Sequence, residues 1–122
     1  MNDILRPALY GAHHAIIPLR RRGGAVERVD VVGPVCESTD VLGVNRDLPA
    51  LHSGEDILAL QSAGAYGMSM ASNYNSRPRP AEVLVAGRRA WCVRSRETLP
   101  DLVRHEVVPS ALRGRRTGRL DP

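Results

Sequence analysis

The chain has 122 residues, 43% hydrophobic but only 3% aromatic, with no phenylalanine. That length predicts a single domain with a modest core of Val, Leu, Ile and Ala, and the aromatic residues Tyr10, Tyr66, Tyr74 and Trp91 stand out against it. The net charge is +4, yet residues 111–122 alone hold four arginines and one aspartate, so the rest of the chain is nearly neutral; this charge distribution, without aromatic platforms, argues against nucleic-acid binding.

In chain order, Asn2 and Asp3 are turn formers, and Pro7 fits the first turn of a short helix, where its missing N–H costs least. Arg6 and Tyr10 then lie four residues apart and share one side of that turn. "AIIPLRRRGGAVERVDVVG" reads as a strand, a turn at Gly23-Gly24, and a second strand rich in β-branched Val. Gly33-Pro34 ends that strand and leaves Cys36 on the loop beyond it. After a polar stretch, residues 56–61, "DILALQ", alternate as a half-buried strand does. Small residues around Tyr66 let the backbone approach a ligand closely, and Pro78 and Pro80 force an extended exit. Residues 82–86 and 90–94 read as a hairpin joined at Gly87-Arg88. Thr98 with Asp101 forms a capping-box pattern that opens a short helix. The order is mainly strands with small helices, which predicts a β-barrel or sandwich-like module over residues 1–110 and a basic, flexible tail over 111–122.

Cys36 and Glu37 are the first candidates for chemistry. A free cysteine is more often a small buried side chain, but a loop after Gly-Pro, followed by "ESTD", is suited to presenting one. The thiol could serve as nucleophile or proton donor, and the residues alone leave both open. No neighbouring side chain supplies a second metal ligand, so no metal site is expected. Tyr66 reads equally as a core aromatic or as a ring and hydroxyl presented to a phosphate or an aromatic partner. Arg6 with Tyr10 reads as a helix-surface contact or as a carboxylate receptor. All 17 basic residues are arginine, so no side-chain amine can form a Schiff base. The two cysteines are widely separated, there is no long apolar run, and the N-terminus has no leader pattern. These features predict a soluble, cytoplasmic protein with unpaired thiols and no membrane association.

Four segments, "MNDILRPALYGAHH", "GPVCESTD", "AGAYGMSMASNYNSRPRPAEVLV" and "RSRET", occur in an order and spacing that resembles the C-terminal part of diaminopimelate decarboxylases, within the ornithine/diaminopimelate/arginine decarboxylase fold family. The resemblance implies a β-barrel domain of the kind that packs on a pyridoxal-phosphate-binding (β/α)8 barrel. The family's Schiff-base lysine, glycine-rich phosphate site and pyridine-nitrogen acid belong to that barrel, which is missing here. It further implies a homodimer with shared active sites, meso-2,6-diaminopimelate as substrate, and L-lysine and CO2 as products.

By the same resemblance, Cys36 matches the cysteine that reaches the neighbouring subunit's site and delivers a proton after CO2 leaves. Glu37 matches the acid that meets the substrate's distal amino group. Arg6 and Tyr10 match the grip on the distal carboxylate, and Tyr66 matches the tyrosine beside cofactor and substrate. Ornithine-type relatives resemble Cys-Asp-Ser where this chain has Cys36-Glu37-Ser38, and they lack the Arg/Tyr pair, so both features favour diaminopimelate over an ornithine/arginine-type domain. The chain departs from the pattern at "SGED" and "AHH", outside the expected contacts. Its Met1 stands where the family has an internal Gly-Met-Asn-Asp, which implies a fragment that is inactive alone. A stand-alone, non-catalytic binding or assembly module is the alternative.

Overall fold

The computed structural model describes residues 1–20, 23–52 and 54–113. Helix α1 (Arg6–Tyr10) forms where Pro7 predicts it, with proline in the first turn. It stops at Gly11, whose φ of 63° is left-handed and whose N–H caps the carbonyls of Arg6 and Pro7.

Among the described residues, six strands make three separate antiparallel ribbons. Strand β1 (Ile16–Pro18) pairs with β4 (Leu58–Leu60), β2 (Val26–Val32) with β3 (Val41–Pro49), and β5 (Glu82–Ala86) with β6 (Arg89–Arg94). The mainly-β class with short helices is therefore as expected, whereas the described strands do not close into a barrel. Strands β1 and β4 have only three residues each, and no third strand joins any of the ribbons among the described residues. The segments on either side of Gly23-Gly24 are strands but do not pair with each other.

The β2–β3 ribbon dominates this half of the fold. Its register slips between Val29 and Val31 and again between Val31 and Val32, which marks bulges that bend β3 and increase its twist. One irregularity is held locally: Asn45 has a φ of 53°, and its N–H donates to Asp30 Oδ1 at 2.8 Å. Gly43 lies under the Arg46 guanidinium, and a Cβ there would also come within 2.9 Å of Ile16 Cδ1.

Ile4, Ile16, Val35 and Leu48 form the buried aliphatic core of the described residues. Each contributes on the order of 1.5–3 kcal/mol relative to exposure. Buried polar groups connect this core to the flanking segments. The His14 ring meets the Gln61 carbonyl through Nδ1 at 3.0 Å, tying the approach to β1 onto the end of β4. Asn2 donates to the carbonyls of Ser72 and Tyr74 at 3.2 and 2.6 Å.

Beyond β4, α2 (Gly67–Met70) and a 3-10 turn (Tyr74–Ser76) lead to the last hairpin. A clamp closes around Glu97. Arg79 donates from Nε and Nη2 to Oε1 at 2.8 and 2.6 Å, while the Arg79 N–H and Asn73 Nδ2 reach Oε2 at 2.8 and 2.6 Å. Hydrogen bonds from the Arg79 side chain, the Arg79 backbone and Asn73 hold the Glu97 carboxyl down at about 2. Helix α3 (Leu99–Val103) follows, with the Thr98/Asp101 capping box formed.

Strands β5 and β6 expose Val83, Leu84, Val85, Trp91 and Val93. Alternate residues of a strand point to opposite faces, so both faces of this ribbon are apolar and open. No helix among the described residues is long and apolar enough to cross a membrane. The expected tail lies, from residue 114 onward, outside the described residues, and the last turn, Ser110–Leu112, straddles the expected boundary at residue 110.

Candidate active site

Arg6 and Tyr10 occupy the two ends of α1. The Arg6 guanidinium carbon sits 4.1 Å from the centroid of the Tyr66 ring, within the range of a cation–π contact. No carboxylate pairs with Arg6 among the described residues. Tyr66 is set by the turn that opens α2. Its N–H and that of Gly67 donate to the Ala63 carbonyl at 3.1 and 2.7 Å, and the Ser69 hydroxyl donates to the Tyr66 carbonyl at 3.2 Å. The ring remains half-exposed despite the Arg6 contact, and the Tyr10 phenol is more exposed still. A planar cation fixed by an aromatic face with its N–H fork unspent is suited to receive a carboxylate.

Cys36 and Glu37 lie on the loop between β2 and β3. The chain dips into the core at buried Val35 and turns out at Cys36, whose thiol is free and exposed. The Glu37 N–H donates to the Val35 carbonyl at 2.8 Å, and the Asp40 N–H donates to the Glu37 carbonyl at 3.0 Å. The Ser38 hydroxyl lies 3.4 Å from Glu37 Oε1. The other cysteine, Cys92, is also free and stands on β6, where its thiol lies 3.2 Å from the Arg94 carbonyl.

The five expected site residues thus fall into two groups. Arg6 and Tyr66 touch, with Tyr10 one helical turn from Arg6, while no hydrogen bond or ion pair among the described residues joins Cys36 or Glu37 to them. No cluster of His, Cys, Asp or Glu suited to a metal ion occurs among the described residues. One residue of this region was read from the sequence only as part of a polar loop: Asp40, which is buried beneath Gly33. Its spacing from Gly33 carries no signal until the loop is folded.

Residues 1–64 match the family described as pyridoxal-dependent decarboxylase, C-terminal sheet domain. The chain belongs to that family. Among curated proteins, the diaminopimelate decarboxylase of Vibrio cholerae is 57% identical over 108 residues, covering 88% of this chain and 25% of its own length. That of Methanothermobacter thermautotrophicus is 50% identical over 112 residues, covering 91% and 26%. Among solved structures, the diaminopimelate decarboxylase from M. jannaschii in complex with L-lysine superposes with a TM-score of 0.85 at 45% identity, over 92% of this chain and 25% of that one. The Helicobacter pylori enzyme complexed with L-lysine gives a TM-score of 0.78 at 47% identity, over 85% and 25%. The chain therefore spans about a quarter of the length of the relatives it matches.

Proposed function

We propose that this chain is the C-terminal part of a pyridoxal-phosphate-dependent diaminopimelate decarboxylase, a lyase that converts meso-2,6-diaminopimelate to L-lysine and CO2. The observation that carries this reading is the Arg6 guanidinium held over the Tyr66 ring with no carboxylate partner among the described residues. The named relatives support it, two of them crystallised with L-lysine, the expected product.

In this proposal Arg6 and Tyr10 grip the distal carboxylate of the substrate, with Arg6 donating two parallel N–H bonds. Glu37 accepts from the distal ammonium. Cys36 gives its Sγ–H proton to the carbon from which CO2 has left, and the resulting thiolate regains a proton from solvent. Tyr66, half-exposed among small residues, fits a place against a flat, anionic cofactor. Pyridoxal phosphate, when bound, supplies the electron sink that lets the carboxylate depart. Its covalent anchor is not on this chain, which contains no lysine; a (β/α)8 barrel contributed by the remainder of the full-length enzyme carries it.

The separation of Cys36 and Glu37 from the Arg6–Tyr66 pair is consistent with a homodimer in which the two groups serve different active sites. Residues 1–110 act as the folded unit and 111–122 as a basic tail, in a cytoplasmic enzyme.

The test is to supply the barrel half as a separate polypeptide with pyridoxal phosphate and diaminopimelate, and to measure CO2. The assembly is expected to release it, to lose most activity on Cys36→Ala, and to do nothing when either half is omitted. Release of CO2 by the 122-residue chain alone would overturn the assignment of the cofactor anchor to the barrel.

A further inference from the structure

We infer that Asp40 is the positioning residue for Cys36, its buried carboxylate fixing the loop that presents the thiol. The inference rests on the proposed role of Cys36 and extends it to a residue that does not touch substrate.

Asp40 is only 2% exposed, although it stands in a loop with exposed Cys36, Ser38 and Thr39. Burying a carboxylate is costly unless its oxygens are hydrogen-bonded. Here Oδ2 accepts the Val35 N–H at 2.9 Å. Burial pushes the carboxyl pKa up, while the Val35 N–H and nearby Arg77 pull it down.

The backbone closes around the same residue. The Gly33 N–H donates to the Asp40 carbonyl at 2.7 Å, and the Asp40 N–H donates to the Glu37 carbonyl at 3.0 Å. Val35 and Glu37 are therefore both fastened to Asp40, and Cys36 is the residue between them. Gly33 is needed for space. A Cβ there would collide with the Asp40 carboxylate, so any side chain at position 33 competes with the brace for one volume. With Val35 held in the core, Cys36 is directed outward at a defined angle, as a proton donor requires.

The experiment uses the 122-residue chain with a trifluoromethyl tag on Cys36 in a Cys92→Ser background, and a matching tag on Cys92 in a Cys36→Ser background. In the parent, the Cys36 tag should give one sharp fluorine resonance. Asp40→Asn and Asp40→Ala should broaden or split it, leave the Cys92 tag unchanged, and speed exchange of the Val35 amide by roughly tenfold or more, the scale of one lost charge-assisted hydrogen bond. Gly33→Ala should disturb the Cys36 tag alone, and Gly33→Ala with Asp40→Ala should be no worse than Asp40→Ala, because the collision has been removed.

A Cys36 resonance and a Val35 exchange rate unchanged in both Asp40 variants would overturn the inference. Equal disturbance at both tags in the conservative Asn variant would also overturn it, by assigning Asp40 a merely structural role. In the barrel-supplied assembly, Asp40→Asn should lower kcat by about tenfold with KM nearly unchanged, the pattern of an interaction needed only in the transition state. If the parent assembly releases no CO2, the decarboxylase reading fails, and the fluorine and exchange results still decide whether Asp40 positions the loop.

Discussion

The guanidinium of Arg6 sits over the Tyr66 ring, its central carbon 4.1 Å from the ring centroid. An exposed cation–π contact contributes about 0.5–1 kcal/mol, enough to bias a flexible side chain toward one direction. Tyr66→Leu is expected to raise KM for diaminopimelate in the barrel-supplied assembly through loss of this support, beyond any effect of losing the phenol. Tyr66→Phe keeps the ring and separates the two contributions. Arg6→Lys, which retains charge but loses the planar fork, should raise KM by roughly 10- to 100-fold, corresponding to about 1.5–3 kcal/mol for a hydrogen bond to a charged group. Steady-state kinetics on the three variants decide the matter.

Cys36 is exposed and holds nothing in the core, so Cys36→Ala should leave thermal stability within about 0.5 kcal/mol of the parent. In the assembly the same change should lower kcat by about 10²- to 10⁴-fold, the usual contribution of a positioned acid. A fall in kcat with an unchanged melting curve is the expected pair of results.

Glu97 makes a pH prediction. Its carboxyl falls from an ordinary 4.5 to about 2 through its hydrogen bonds to Arg79 and Asn73. The folded value lies below the unfolded one, so the stabilisation is fully present above about pH 4.5 and is lost as pH falls from there through about 2. Urea midpoints measured across that window should decline in the parent more steeply than in Glu97→Gln, which has no proton to take up at this site.

Leu48 tests the core. At 4% exposure it is the most deeply buried aliphatic side chain described, and Leu48→Ala should cost about 2–5 kcal/mol. Val44→Ala, on the same strand but exposed, should change stability by less than about 0.5 kcal/mol. Denaturant titrations of the two variants provide the comparison.

What could be read in advance depended on how local its cause was. The Pro7 helix start, the Thr98/Asp101 box and the β5–β6 hairpin each depend on residues within a few positions of one another, and all three are formed. Strand β3 was not anticipated because Gly43, Asn45 and Pro49 interrupt its alternation, and only pairing with β2 makes it a strand. Helix α2 spans only four residues of Gly, Met and Ser, too few to show a period. Cys36 was legible as exposed because Gly33-Pro34 and a polar run surround it. The Arg6–Tyr66 contact and the burial of Asp40 were not, since the first joins distant segments and the second appears only when the loop folds back on Gly33.

The β5–β6 ribbon shows apolar side chains on both faces and carries Trp91, the chain's single tryptophan, at 45% exposure. An isolated two-stranded ribbon is marginal in water, and any surface that covered this one would also dry the indole. The molecule consequently contains its own optical reporter: a blue shift in emission on mixing with a partner registers coverage of that ribbon, with no dye attached.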